Sequence, residues 1–217
     1  MGSFSRTFEA GRGMMLWQGF LVTVQITIGA ILLGFIIGVV LAYFKMSRFK
    51  ILKAISFIYL GIIRGTPVVI QLLIVSAVLF SGFRGNRVWV AIVGLGINSA
   101  AYVAELIRGG IQSVDKGQTE AGLSLGLSKA QTMIFIVMPQ AIKNILPSFI
   151  NEFIMLTKET AIVGYIAVQD LTRIAQQITV RTFDVTPLIV SGFIYLGFIS
   201  ILTFFLSLIE KYFRRRG

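Results

Sequence analysis

Residues 13–44, GMMLWQGFLVTVQITIGAILLGFIIGVVLAYF, contain no Asp, Glu, Lys or Arg. A helix needs about 20 mostly apolar residues to cross a bilayer core, and this run exceeds that with room to tilt. Residues 185–209 form a second such run, while 65–83 and 88–104 pass more narrowly. The whole chain agrees with them: 56% of its residues are hydrophobic, 13% are charged, and the mean hydropathy is +0.86. Soluble domains do not reach that composition. The expected fold is therefore an all-α integral membrane protein in which residues 1–217 make one transmembrane domain.

Five spans are expected, at 15–44, 54–80, 88–107, 132–157 and 185–210, each about as long as a bilayer requires. The second reaches back through AISFIYLGII (54–63), so that Arg64 and Pro67 interrupt it. The fourth lies within MIFIVMPQAIKNILPSFINEFIML (133–156), which carries Lys143, Asn144, Glu152 and two prolines. Such a helix is too polar to face lipid and belongs inside a bundle; an amphipathic helix on the surface is the alternative. The first apolar run is too long for the core of a cleaved signal peptide and lacks a small-residue cleavage site, so it is expected to stay as a span. No internal repeat is visible, which argues against a secondary transporter folded from inverted halves.

Cysteine and histidine are both absent. Disulfides, thiol nucleophiles, imidazole bases and the soft metal ligands are excluded together, so no catalytic or metal site is expected in this chain. The net charge of +11 comes from basic residues standing singly or in short clusters beside apolar runs. That is the pattern of membrane flanks facing anionic lipid rather than of nucleic-acid binding. One set comprises Lys45, Arg48, Lys50, Lys53, Arg108, Lys116, Lys129, Lys211, Arg214, Arg215 and Arg216; the other comprises Arg6, Arg12, Arg84, Arg87, Arg173 and Arg181. The larger set marks the cytoplasmic side. Five spans then put the N-terminus outside and the C-terminus inside.

This orientation leaves TEAGLSLGLSKAQTMIFIVMPQA (119–141) at the cytoplasmic surface. Leu123 and Leu127 are one helical turn apart among polar neighbours, which predicts a short helix over 118–128 with a narrow apolar stripe. Gly122 and Gly126 cost such a helix about 1 kcal/mol each relative to alanine. Close approach of another backbone is one reason to keep them; a surface connector whose glycines mark turns is the other.

The stretch resembles the cytoplasmic "EAA" loop of ABC importer permeases: Glu120-Ala121-Gly122, three residues to Gly126, nine to Ile136, then Met138-Pro139. Gly122 stands for the second alanine of that pattern and Met138 for its leucine. RGTP (64–67), AYVAELIRGGI (101–111) and LTKETAIVGYIAVQDL (156–171) resemble the polar amino acid uptake branch, and the resemblance runs from about Gly19 onward. It implies a permease that pairs with an identical or related second permease, docks two cytoplasmic ATPase subunits and receives substrate from an extracytoplasmic binding protein in a bacterial or archaeal plasma membrane. The implied coupling residues are Glu120, Ala121, Gly122, Gly126 and Pro139. No G-x-x-x-x-G-K-[ST] phosphate loop occurs, so ATP and Mg are expected on the partner ATPase and no cofactor on this chain.

For substrate, intramembrane polar groups are the candidates, because a charge in the bilayer is costly unless it is compensated. Asn98, Tyr102 and Glu105 share one helical face about 10 Å long, although Arg108 offers Glu105 an ion pair one turn away. Glu152 and Glu159 are seven apart and share another face; Lys143 or a neighbouring helix is an alternative partner for Glu152. The run AIVGYIAV after Thr160 is too short to cross the membrane, so 160–168 is expected to be re-entrant. If Thr160 caps it, its free amides face a substrate carboxylate while Glu159 takes an ammonium or guanidinium. Arg64, Gly65, Thr66 and Pro67 are expected to form a hinge or kink, with Gln71 one turn on lining the same passage. A basic amino acid is the expected cargo, moved by alternating access. A passive channel or secondary transporter would need internal duplication or a self-sufficient polar pore, and a pure anchor would show no substrate dependence at Asn98 or Glu159.

Overall fold

The computed structural model describes residues 11–215 and, of 213–215, the backbone alone. Arg6 and Arg216 of the charge pattern lie outside the described residues. Every regular element among the described residues is helical. Helix α1 spans Arg12–Met46 and α2 spans Lys50–Arg64. Helix α3, Val68–Ile74, runs into a π turn at Val75–Leu79. Helices α4 (Val88–Gln112), α5 (Lys116–Ser124) and α6 (Lys129–Thr132) follow, and a second π turn at Met133–Val137 leads into α7, Met138–Glu159. A 3₁₀ segment, Thr160–Ile166, precedes α8 (Leu171–Thr182) and α9 (Thr186–Arg215). Four of these stretches are long and apolar enough to span a membrane, and the bent pair α2–α3 makes a fifth.

Helix α4 is the central element, because it is the most enclosed of the candidate spans. Its main partner is α1. The two approach closely where α1 presents glycine: a β-carbon on Gly34 would lie 2.9 Å from the Ser99 Cβ, and one on Gly38 would lie 2.7 Å from a Val103 methyl. Small residues of this kind let membrane helices gain packing that hydrophobic burial cannot supply in lipid. Ile26 and Ala30 of α1, Leu72 of α3, Leu95 of α4, Leu156 of α7 and Val163 of the 3₁₀ segment close one core at this crossing. The outer flank of α9 displays Phe193, Leu196, Ile201 and Phe204, an apolar exterior suited to acyl chains.

The second span breaks where Pro67 removes an amide donor and biases Thr66 away from helix. Helices α2 and α3 meet there at 108°. Around the break, the Gln71 side-chain amide donates to the carbonyls of Ile63 (2.6 Å) and Thr66 (3.0 Å) and to the Thr66 hydroxyl (2.8 Å). One side chain thus satisfies carbonyls that lost their helical donors, as buried backbone demands.

Two local expectations change. The helix expected over 118–128 spans Lys116–Ser124 and stops at Gly126, whose φ of +86° is the left-handed conformation. The Leu127 amide bonds the Gly122 carbonyl and the Gly126 amide bonds that of Leu123, a Schellman cap that glycine favours at its turning position. Thr160 does not cap a new helix. It is fully buried, its hydroxyl donates back to the Thr157 carbonyl at 2.8 Å, and its amide bonds Leu156. Because α7 runs directly into the 3₁₀ turns, Thr160 presents no free amide end to a carboxylate.

Candidate functional site

The polar face of α4 divides into two parts. Asn98 is 3% exposed and donates its amide to the Gln71 carbonyl oxygen at 2.8 Å. This fastens the middle of α4 to the break in the second span. One turn on, Tyr102 is exposed, and Glu105 sits among three cations. Arg108 binds it through two nitrogens at 2.8 and 2.9 Å, Lys45 from the end of α1 also bonds it, and Arg64 approaches to 3.9 Å. The charge of Glu105 is therefore met from within the chain, across α1, α2 and α4.

Helix α7 carries the other two carboxylates. Glu152 accepts a hydrogen bond from Ser99 at 2.7 Å and makes no ion pair among the described residues; Lys143 instead faces a neighbouring cavity. Glu159 likewise has no cation within ion-pair distance among the described residues. A cavity of about 360 Å3 lies between the two helices, and Arg64, Tyr102, Glu105, Ser148, Asn151 and Glu152 contribute to its wall. It has acceptors, donors and both signs of charge. Ser148 and Asn151 were absent from the residues singled out by sequence. Their signal was present: Asn144, Ser148, Asn151 and Glu152 recur at three- and four-residue intervals, one polar face of α7.

At the start of α8, buried against α1, the Asp170 carboxylate caps that helix, accepting from the amides of Thr172 and Arg173 at 3.0 Å each. Burial pushes its pKa above the ordinary aspartate value, against the lowering effect of those amides.

The segment 116–139 is built as a rigid projection. Asp115 caps α5 through the Gly117 amide at 2.7 Å. Ser128 and Gln131 form a reciprocal capping box on α6, with bonds of 2.9 and 3.3 Å. Gly122 is the one buried residue of α5: a β-carbon there would stand 2.8 Å from Thr132 and Ile136 side-chain carbons. The close approach that retains this glycine is thus to the chain's own α6 and π turn. Glu120 and Ala121 stay exposed, as does Leu125 at 82%, and Pro139 follows at the start of α7.

The arrangement is that of a helical membrane subunit with a polar cavity between spans and a stiff projection at one end. Its sequence matches the family described as binding-protein-dependent transport system inner membrane component over residues 11–215, and the chain belongs to that family. It is 42% identical over 197 residues to an arginine transport system permease, ArtQ, of Bacillus subtilis, which covers 89% of this chain and 90% of the relative. It is 35% identical over 201 residues to a putative glutamine transport system permease, GlnP, of Rickettsia felis, covering 91% and 92%. A crystal structure of an amino acid ABC transporter with histidines superimposes with a TM-score of 0.89 at 38% identity, covering 98% of this chain and 99% of that one. An inward-facing MetNI methionine ABC transporter, at 20% identity and a TM-score of 0.80, shares the fold. The chain is accordingly a transport subunit rather than an enzyme.

Proposed function

We propose that this chain is the permease subunit of an ATP-driven importer that moves basic amino acids into the cytoplasm of a bacterium. The relatives named for arginine, glutamine and L-cystine transport support amino acids as the class. One observation carries the choice among them. Of the three carboxylates in or beside the cavity, Glu105 is saturated by cations, whereas Glu152 and Glu159 have none among the described residues. Glu152 and Glu159 are half-buried; a carboxylate partly withdrawn from water without a counter-charge is costly, and an ammonium or guanidinium on the substrate supplies one. Arg64, half-exposed at the cavity, offers the opposite charge to a substrate carboxylate, the role the Thr160 amides do not take. Tyr102 and Asn151 line the same cavity.

In this reading ATP and Mg are held by two cytoplasmic ATPase subunits, and the α5 projection, with Glu120, Ala121 and Leu125 exposed, seats in them. Gly122, Gly126 and Pro139 keep the projection stiff. A second permease completes the passage, an extracytoplasmic binding protein delivers the substrate, and the N-terminus lies outside. ATP binding draws the projections together and opens the cavity outward; hydrolysis resets it. Ligand and nucleotide are coupled because each binds the two states unequally.

The test is ATPase activity of the reconstituted complex against a panel of amino acids. Loss of one charged hydrogen bond corresponds to about a 10- to 100-fold weakening. Lysine and arginine should therefore lose that much apparent affinity in Glu152→Gln or Glu159→Gln, with glutamine unaffected. Hydrolysis that ignores every amino acid, in parent and variants alike, would move selectivity to the binding protein.

A further inference from the structure

Helix α1 ends at Met46, and the chain turns through 47–49 into α2. This elbow borders a groove of about 610 Å3 whose apolar lining comes from three spans: Tyr43, Met46 and Phe49 at the elbow, Ile111 at the end of α4, and Met133 and Met138 where the fourth span begins. Since the ends of three spans meet there, the groove lies at one face of the membrane. Ser47 and Arg48 supply its polar end.

Lys45 is bound to Glu105, but Arg48, Lys50 and Lys53 are exposed and make no ion pair with a carboxylate among the described residues. Arg48 leans over the Phe49 ring, 5.4 Å from its centre. Beyond them, α2 packs on the bundle through Ser56, Leu60 and Ile63 and exposes Ile51, Ile55, Ile58 and Ile62. Those four isoleucines, at intervals of four, three and four, form one continuous apolar ladder.

That ladder faces away from the groove, on the side of α2 opposite Lys53. The groove itself, an apolar slot beside three cations with no carboxylate partner among the described residues, has the layout of a phospholipid: chain below, phosphate above. An acidic peptide would use the cations but leave the apolar lining unmatched. A packing helix would cover the lining but leave the cations unmatched. Methionine lining suits a flexible chain, because its unbranched side chain adapts to the occupant.

We propose that the α1–α2 elbow binds an anionic phospholipid, with Arg48, Lys50 and Lys53 holding the headgroup and an acyl chain lying in the groove between Met46 and Met133. Juxtamembrane basic residues attract anionic headgroups, and this site adds a shaped seat to that attraction. The far wall of the groove is the π turn that carries α5 and α6, so an occupied groove braces the projection against α1.

The test is electron spin resonance of the full-length protein in vesicles containing spin-labelled phosphatidylglycerol or phosphatidylcholine, reading the motionally restricted lipid. Phosphatidylglycerol should be preferred by about tenfold. The preference should fall close to unity in Arg48→Gln/Lys50→Gln/Lys53→Gln and persist in Lys116→Gln/Lys129→Gln/Lys211→Gln, which removes equal charge elsewhere. Met133→Trp, at an exposed position that tolerates bulk, keeps every charge yet should displace the restricted phosphatidylglycerol. Equal loss in both triple variants, no preference in the parent, or no effect of Met133→Trp would each overturn the site. Parental unfolding temperatures establish that the variants are folded.

Discussion

Asn98 and Gln71 meet at 2.8 Å, and through that bond the centre of α4 holds the two halves of a broken span. Gln71 donates its amide hydrogens to Ile63 and Thr66 and accepts from Asn98 through its oxygen, so both ends of the side chain are occupied. Asn98→Ala should destabilise the protein by about 1–3 kcal/mol, the usual result of leaving a buried polar partner unmatched. Gln71→Ala should cost more, because it strands two backbone carbonyls as well. In a double-mutant cycle followed by thermal denaturation in detergent, the two effects should be non-additive; simple additivity would show the bond to be energetically idle.

Gly122 and Gly126 are held for different reasons, and substitutions separate them. Gly126→Ala meets open space but must adopt a φ of +86°, which costs a residue with a side chain about 1–2 kcal/mol. Gly126→Asn should recover much of that loss, since Asn tolerates the left-handed region. Gly122→Ala has an ordinary helical backbone and fails on space, its β-carbon pressing on Thr132 and Ile136. Overpacking of this kind costs about 1–3 kcal/mol. Trimming one neighbour with Ile136→Val should recover part of the Gly122→Ala loss, the Thr132 contact remaining, and leave Gly126→Ala unchanged, as read by unfolding temperature.

Glu105 joins three helices through one carboxylate. Glu105→Gln should lower stability by about 1.5–3 kcal/mol, the range for hydrogen bonds to charged groups, because it leaves Lys45, Arg64 and Arg108 facing one another. Lys45→Gln should cost less, since Arg108 keeps its two contacts at 2.8 and 2.9 Å. A Lys45→Gln variant less stable than Glu105→Gln would reverse this ordering of the cluster.

Asp170 makes a pH-dependent contribution with a definite sign. Burial raises its folded-state pKa, so the folded protein retains a proton that the unfolded chain has released. Its contribution to stability therefore falls as pH rises from just below the ordinary aspartate value, about 3.9, through the higher folded value. Asp170→Asn should abolish that local dependence while keeping a capping oxygen. Asp170→Ala should lose the cap at a cost of about 1 kcal/mol. Stability profiles of the three proteins across the acid range check it; parallel slopes for parent and Asp170→Asn would assign the dependence to other groups.

Much of the fold was legible because hydropathy and its interruptions are local properties. The charge-free runs mark α1, α4 and α9, and Pro67 marks the break between α2 and α3. The long asymmetric spacing from Glu120 to Pro139 marked the family. The end of α5 was misplaced by four residues because two glycines with opposite roles look alike in a sequence: one needs a left-handed backbone, the other needs room. Thr160 misled for a similar reason. A threonine after a helix caps the next one only if the chain turns, and whether it turns depends on core packing around Val163 and Ile166.

The sequence by itself determined that this chain is a helical membrane protein, where its long apolar runs lie and which family it joins, since each follows from composition, period or spacing along the chain. Only the tertiary structure decided which polar groups neutralise one another. Asn98 faces Gln71, Glu105 gathers Lys45, Arg64 and Arg108, and Ser99 reaches Glu152. Those partners are separated by up to 60 positions, and their meeting depends on the rotation and depth of each helix. These are set by packing at Gly34 and Gly38 and by the 108° break, quantities that no local pattern encodes.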